Sequence, residues 1–162
     1  MDRIILGIDP GTATTGFGVI NANKNEVAYI NCGYIATSPK DQPADRLLII
    51  AKSLEAIIKE HKPQLVAVEN LFFAKNRATA MAVAQARGVI LSTIAKHKIS
   101  LVEYTPLQIK QVLTGYGKAD KAQIQKMVKS VLKLDSVPKP DDSADALAIA
   151  ICAAYSDKPV VK

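Results

Sequence analysis

Tryptophan is absent from this chain, and cysteine and histidine occur twice each. Cys32 and Cys152 stand alone, with no Cys-x-x-Cys and no His cluster beside them, which excludes a disulfide framework and the usual zinc-site spacings. Long apolar runs are missing as well. The most apolar helical stretch, around 78–95, is broken by Thr79, Gln85, Arg87 and Ser92, so it does not read as a membrane span. Met1-Asp2-Arg3 passes directly into a strand pattern, without the apolar core and small-residue cleavage site of a signal peptide. A cytoplasmic protein with no membrane association is therefore expected. Repeats, low-complexity tracts and interdomain linkers are also lacking, which favours a single domain over residues 1–157 with a short tail at 158–162.

What is present suits folding by packing alone. The 162 residues are 49% hydrophobic and 22% charged, with 8 Gly and 8 Pro. A chain of this length buries about two-thirds or more of its unfolded surface without staples. The formal net charge is +6, and its location says more than its size. Residues 96–133 hold eight lysines, at 96, 98, 110, 118, 121, 126, 129 and 133, against Glu103 and Asp120. That stretch carries the whole excess, so a basic face and an anionic partner such as nucleic acid are expected.

Ile4-Ile5-Leu6-Gly7-Ile8 reads as a buried strand stopped by Asp9-Pro10-Gly11. Phe17–Ile20 and Val27–Thr37 supply two more strands, joined by a turn over Asn21–Asn25, as an antiparallel meander. Apolar residues at 47, 50, 54, 57 and 58 mark a helix from Pro43 to His61, ending before Pro63. Leu65–Val68 is a fourth strand closed by Glu69, and Ser100–Tyr104 a fifth. Between them, 78–96 is apolar on nearly every side, which predicts a helix covered on two faces. Pro106–Leu113, about 119–134 and about 142–155 complete a helical C-terminal half. The order βββαβαβααα describes an α/β protein with a ribonuclease H-like mixed five-stranded sheet flanked by helices, its first, fourth and fifth strands parallel neighbours.

Four acidic residues stand out. Asp9 and Glu69 end two central strands, where α/β sheets place their sites, and Asp142 and Asp145 begin the last helix three residues apart. If that helix crosses the sheet edge, four carboxylates converge and require cations. All-oxygen ligands suit Mg²⁺ or Mn²⁺, and two such ions about 4 Å apart support phosphodiester hydrolysis. Asp141, Asp142 and Asp145 have a simpler reading as carboxylates at a helix N-terminus, favoured by capping and the dipole. Asp9 can close a turn, whereas Glu69 has no obvious local role.

The matching segments Ile-Leu-Gly-Ile-Asp-Pro-Gly-Thr at 5–12 with Thr15-Gly16, Val68-Glu69 with Phe72 and Ala74-Lys75-Asn76, Gln85-Ala86-Arg87-Gly88, and Asp142–Ala148 span nearly the whole chain. With these motifs in this order, the sequence resembles the RuvC-type Holliday-junction resolvases. That resemblance implies a homodimeric, Mg²⁺-dependent endonuclease, with two ions per active site, that nicks opposed strands of a four-way DNA junction in recombination and repair. It leaves ligatable ends and usually prefers T-containing sequences. It implies Asp9, Glu69, Asp142 and Asp145 as catalytic, metal-binding acids, the third of them being His in some members. The branch-migration proteins RuvA and RuvB are implied as partners.

Among DNA contacts, Phe72 matches the family's wedge position, and Lys110 and Lys121 match its basic positions near the cleaved strand. Lys75 and Arg77 flank the wedge, and Lys118 adds a loop cation in Gly115-Tyr116-Gly117-Lys118. Lys126, Lys129 and Lys133 read equally as a solvated helix face. One ring of Phe72 and Phe73 is expected to pack beneath its loop. The apolar second face of 78–95, with Gly88, fits a dimer contact. His61 and His97 read as surface residues.

Two rival classes remain open. Gly7–Thr12 with Thr14, Thr15 and Gly16 also looks like the first phosphate loop of an actin-like nucleotide-binding phosphotransferase, although no second Asp-x-Gly-Thr loop follows. A non-catalytic junction-binding protein would keep the lysines without needing Glu69 or both aspartates.

Overall fold

The computed structural model describes residues 2–23, 26–70 and 77–156, the side chains of Arg77 and Ala78 excepted. Strands β1 (Arg3–Asp9), β2 (Thr14–Ala22) and β3 (Val27–Ala36) precede helix α1 (Pro43–His61). Strand β4 (Leu65–Glu69), helix α2 (Arg77–Lys96) and strand β5 (Ser100–Tyr104) follow, and helices α3 (Pro106–Thr114), α4 (Lys121–Val131) and α5 (Asp141–Tyr155) complete the described chain. The sheet order is β3-β2-β1-β4-β5, with β1, β4 and β5 parallel and the β1-β2-β3 meander antiparallel. This is the mixed five-stranded sheet that the sequence predicts.

Several boundaries differ from expectation, and β2 begins at Thr14 rather than Phe17. Asn21 and Ala22, read as turn, belong to β2, where Ala22 pairs with Val27. The hairpin closes instead at Asn23, whose side chain accepts from the Glu26 N–H at 2.9 Å. The helix expected at 119–134 starts at Lys121, because the Asp120 side chain accepts from the Gln123 N–H and the Gln123 side chain from the Asp120 N–H, and it ends at Val131, just before Lys133 takes a positive φ of 52°.

Strand alternation divides the core into two layers. Ile5, Leu65, Ala67, Val102 and Tyr104 face α3, α4 and α5. Leu6, Ile8, Val66 and Val68 face α1 and α2. Asp9 continues the odd-numbered set of β1 and Glu69 that of β4, so both carboxylates emerge on the α5 side, at the carboxyl ends of adjacent parallel strands.

Helix α5 lies unusually close to that face, because glycines remove the side chains that would hold it away. A Cβ on Gly7 would lie 2.7 Å from the Ala150 nitrogen, and one on Gly18 equally close to the Leu147 nitrogen. Gly7 and Gly18 are themselves paired across β1 and β2. Alanines and Leu147, all buried, fill the opposing surface of α5.

Helix α2 buries Ala86, Ile90, Thr93 and Ile94, while Met81 is 71% exposed and the space over Gly88 is open. Within the described chain one face of α2 is covered, and the second face, expected to meet another helix or another subunit, is open.

Candidate functional site

A cleft of about 210 Å³ opens at the carboxyl edge of β1 and β4, lined by Asp9, Glu69, Asp145, Lys110 and Lys121 over an apolar floor of Ile109, Ile124 and Ile149. Each polar group arrives from a different element. Asp9 and Glu69 close their strands, Asp145 comes from α5, Lys110 from α3 and Lys121 from the first turn of α4. Asp142 stands one turn earlier on α5 and lines the adjoining cleft, with the loop 11–14. The expected convergence thus places three acids on one cleft and the fourth at its border. The field of Asp142 nevertheless reaches both Asp9 and Asp145.

Crowding of like charge governs the ionisation of this group. Burial first, then the charges of Glu69, Asp145 and Asp142, push Asp9 up to about 8, and its carboxyl hydrogen-bonds Glu69. Burial and Asp145 also raise Glu69, while the Asp9 hydrogen bond and the Lys110 charge oppose the rise. Asp145 is raised by burial against the pull of Lys121. The Lys121 ammonium is 3.1 Å from Asp145 Oδ2 and 3.4 Å from Asp141 Oδ2. Burial disfavours its charge, yet these two carboxylates hold it above its ordinary value.

The helix-capping reading of the aspartates finds no hydrogen bond to support it. The N-cap of α5 is Pro140, which has no side-chain cap. Asp141 is occupied by Lys139 and Gln125, each at 3.2 Å, as well as by Lys121. Among the described residues, no three Asp, Glu, His or Cys side chains are drawn together tightly enough to grip an ion as they stand. A hydrogen bond between Asp9 and Glu69 and the ammonium of Lys121 carry out the neutralisation that a cation would perform. An excess of carboxylate oxygens with no His or Cys ligand is the donor chemistry of a hard divalent ion.

Lys110 and Lys121 are thus both at the cleft, whereas Lys118 is exposed in the turn before α4 and does not line it. Lys126 and Lys129 lie exposed on α4, and Lys133 is committed to Glu26 at 2.8 Å, in keeping with a solvated face. Phe72, Phe73, Lys75 and the Arg77 side chain lie outside the described residues. Cys32 and Cys152 are both free thiols. His61 is less exposed than expected: its side chain is 11% exposed and its ring meets the Asn31 amide at 3.3 Å. His97 is likewise partly buried, and neither histidine lines the acidic cleft.

Sequence reasoning missed Arg46, which lines the cleft that holds Asp142. It also gave no role to Arg87, which forms an ion pair with Glu103 that fastens α2 to β5. Neither residue carries a local signal, since each acquires its neighbours only through folding.

Comparison with known proteins agrees with this architecture. The family model described as crossover junction endodeoxyribonuclease RuvC matches residues 5–153. The protein of that name from Caldicellulosiruptor saccharolyticus is 51% identical over 158 residues, covering 97% of this chain and 95% of its own. The Thermus thermophilus RuvC structure superimposes with a TM-score of 0.88 at 32% identity, covering 94% of this chain and 93% of that one. T. thermophilus RuvC in complex with Holliday junction substrate gives 0.86 at 29% identity, over the same shares of the two chains. The chain belongs to the RuvC family of crossover junction endodeoxyribonucleases.

Proposed function

We propose that this protein resolves Holliday junctions by hydrolysing one phosphodiester on each of two opposed strands, with Asp9, Glu69, Asp142 and Asp145 as its metal-binding catalytic acids. The observation that carries this reading is the acidic cleft itself. Asp9 is forced toward neutrality by burial and then by three neighbouring carboxylates, and a fold gains nothing in stability from such crowding.

Mg²⁺, or Mn²⁺ in its place, with two ions per site, would supply Lewis-acid activation of the attacking water and of the departing oxygen. The chain's own residues prepare the site for it. Asp9 and Glu69 present oxygens from rigid strand ends, and α5 brings Asp145 and Asp142 onto the same edge. Lys121, which pairs with Asp145, would be free to meet a phosphate oxygen if that carboxylate held a cation. Lys110 lines the same cleft as Glu69, acts on it through its charge, and offers a second positive charge at the strand to be cut. The apolar floor limits the solvent around the reacting phosphate. Water adds to phosphorus as the P–O3′ bond breaks, leaving a 5′-phosphate and a 3′-hydroxyl that a ligase can join.

In this reading Phe72 wedges into the opened junction, and Lys75, Arg77 and the loop cation Lys118 hold flanking phosphates. Two symmetric cuts call for two active sites. The uncovered face of α2, with Met81 and Gly88, supports a homodimer in which a second copy supplies the missing cover. RuvA and RuvB enter as partners through the family alone, and a cytoplasmic setting follows from action on chromosomal DNA. No helix among the described residues is long and apolar enough to cross a membrane.

The deciding experiment is cleavage of a synthetic four-way junction with Mg²⁺. Paired symmetric nicks that vanish in Asp9→Asn, with junction binding retained, are expected. Binding without any cleavage in Mg²⁺ or Mn²⁺ would establish the non-catalytic reading instead.

A further inference from the structure

Next to the acidic cleft lies a second one, of about 440 Å³, whose character differs. Its walls are the loop 11–14, which leaves β1 directly after Asp9-Pro10, together with Arg46 of α1, Thr79 of α2 and Asp142 of α5. It therefore shares the segment that carries Asp9 and one of the site acids, but holds an arginine.

The hydrogen bonding of that arginine is incomplete in a directed way. Arg46 Nε donates to Thr37 Oγ1 at 2.9 Å, and Thr37 Oγ1 donates in turn to the Thr12 carbonyl at 2.6 Å. This relay fixes the plane of the guanidinium against the loop. Its two terminal nitrogens have no carboxylate within ion-pair distance among the described residues, and Asp142 is the one acidic side chain on the cleft wall. Thr12 Oγ1 is enclosed and makes no hydrogen bond, so it can rotate toward the cleft without breaking one. An oriented guanidinium fork with its outer donors uncommitted matches a phosphate bidentately, and a neighbouring hydroxyl adds a third donor.

We propose that Arg46 and Thr12 form a second phosphate subsite, which grips a backbone phosphate of the cleaved strand next to the scissile one. It rests on the resolvase reading above. Arg46 acts there as a positioning residue: it holds the strand in register, so that the correct phosphodiester lies over Asp9 and Glu69, and takes no part in bond breaking.

The test is a cycle between protein and DNA. Junctions carrying a single neutral methylphosphonate at each position flanking the cut are compared with the all-phosphate junction, in single-turnover cleavage by wild type and Arg46→Gln. At one flanking position the wild type should lose about tenfold, the size of a lost charge-assisted pair. R46Q should lose a similar factor on the all-phosphate junction and no more when the methylphosphonate is added. Thr37→Val, which breaks the relay but keeps the cation, should retain sensitivity to that same methylphosphonate. If R46Q does not fold, Arg46→Lys, which keeps the charge and loses the fork, carries the cycle with a partial loss. A wild type that cuts normally but is indifferent to every flanking methylphosphonate overturns the subsite alone. So do losses that multiply at every position. A wild type that cuts no junction overturns the resolvase reading and the subsite with it.

Discussion

Gly16 lies so close beneath the first turn of α5 that a Cβ added to it would stand 2.7 Å from the carbonyl carbon of Asp142. In the sheet the same glycine faces Asp9 across the β1–β2 ladder. One missing side chain thus sets the separation between a strand-end carboxylate and the helix that brings the other two acids.

Gly16→Ala should therefore uncouple the site while leaving most of the fold intact. Forcing a methyl between β2 and α5 costs about 1–3 kcal/mol, and a domain of this size loses about 2–4 °C in melting temperature per kcal/mol. Cleavage should fall further than that loss explains, because Asp142 and Asp145 shift relative to Asp9. Thermal melts alongside junction cleavage decide it. A variant with reduced melting temperature but wild-type cleavage would show that the close approach serves packing alone.

Asp9→Asn should remove cleavage by about a thousandfold or more, the scale of several kcal/mol of lost Lewis-acid assistance. It should not destabilise the metal-free protein near pH 8, since it deletes one charge from a repelling group. A clear drop in its melting temperature would mark Asp9 as a structural residue.

Metal-free stability should depend on pH in the direction opposite to that of most carboxylates. Asp9 is held near 8 in the fold against 3.8 as its ordinary value. Between those values the folded state binds a proton that the unfolded chain has released, so stability is greatest below the unfolded value and falls as pH rises toward 8. Calorimetry should show this decline, flattened in Asp9→Asn. Added Mg²⁺ should raise the melting temperature most at the upper end of the window.

Lys121 and Lys126 provide a matched pair on one helix, one at the cleft and one on the open face. Lys121→Met should lower the salt slope of junction binding by about one and slow cleavage, whereas Lys126→Met should leave cleavage unchanged. Anisotropy titrations across salt concentrations measure the slope. Equal slopes for both variants and wild type would remove Lys121 from the DNA interface.

Most of the architecture was legible because the sheet is built from local signals. Short apolar runs bounded by turn signals placed the strands, Pro43 and Pro106 opened helices, and Asp9 and Glu69 ended apolar runs without needing any tertiary knowledge. Local patterns failed where an outcome depended on two elements meeting. The turn after β2 was overestimated, because Asn21 is a turn former that, with Ala22, a partner strand holds in register. Composition likewise recorded a second apolar face on α2 but not which neighbour, another helix or another subunit, would cover it.

By itself the sequence determined the elements, the four acids and the basic stretch, since each is a property of residues near one another in the chain. Folding alone sets Asp145 in one cleft with Asp9 and Glu69 while Asp142 borders it, rests Lys121 on Asp145, and brings Arg46 Nε onto Thr37 beside the loop after β1. The reason is the descent of α5 onto Gly7, Gly16 and Gly18, which brings residues more than a hundred positions apart within range of one another's charge.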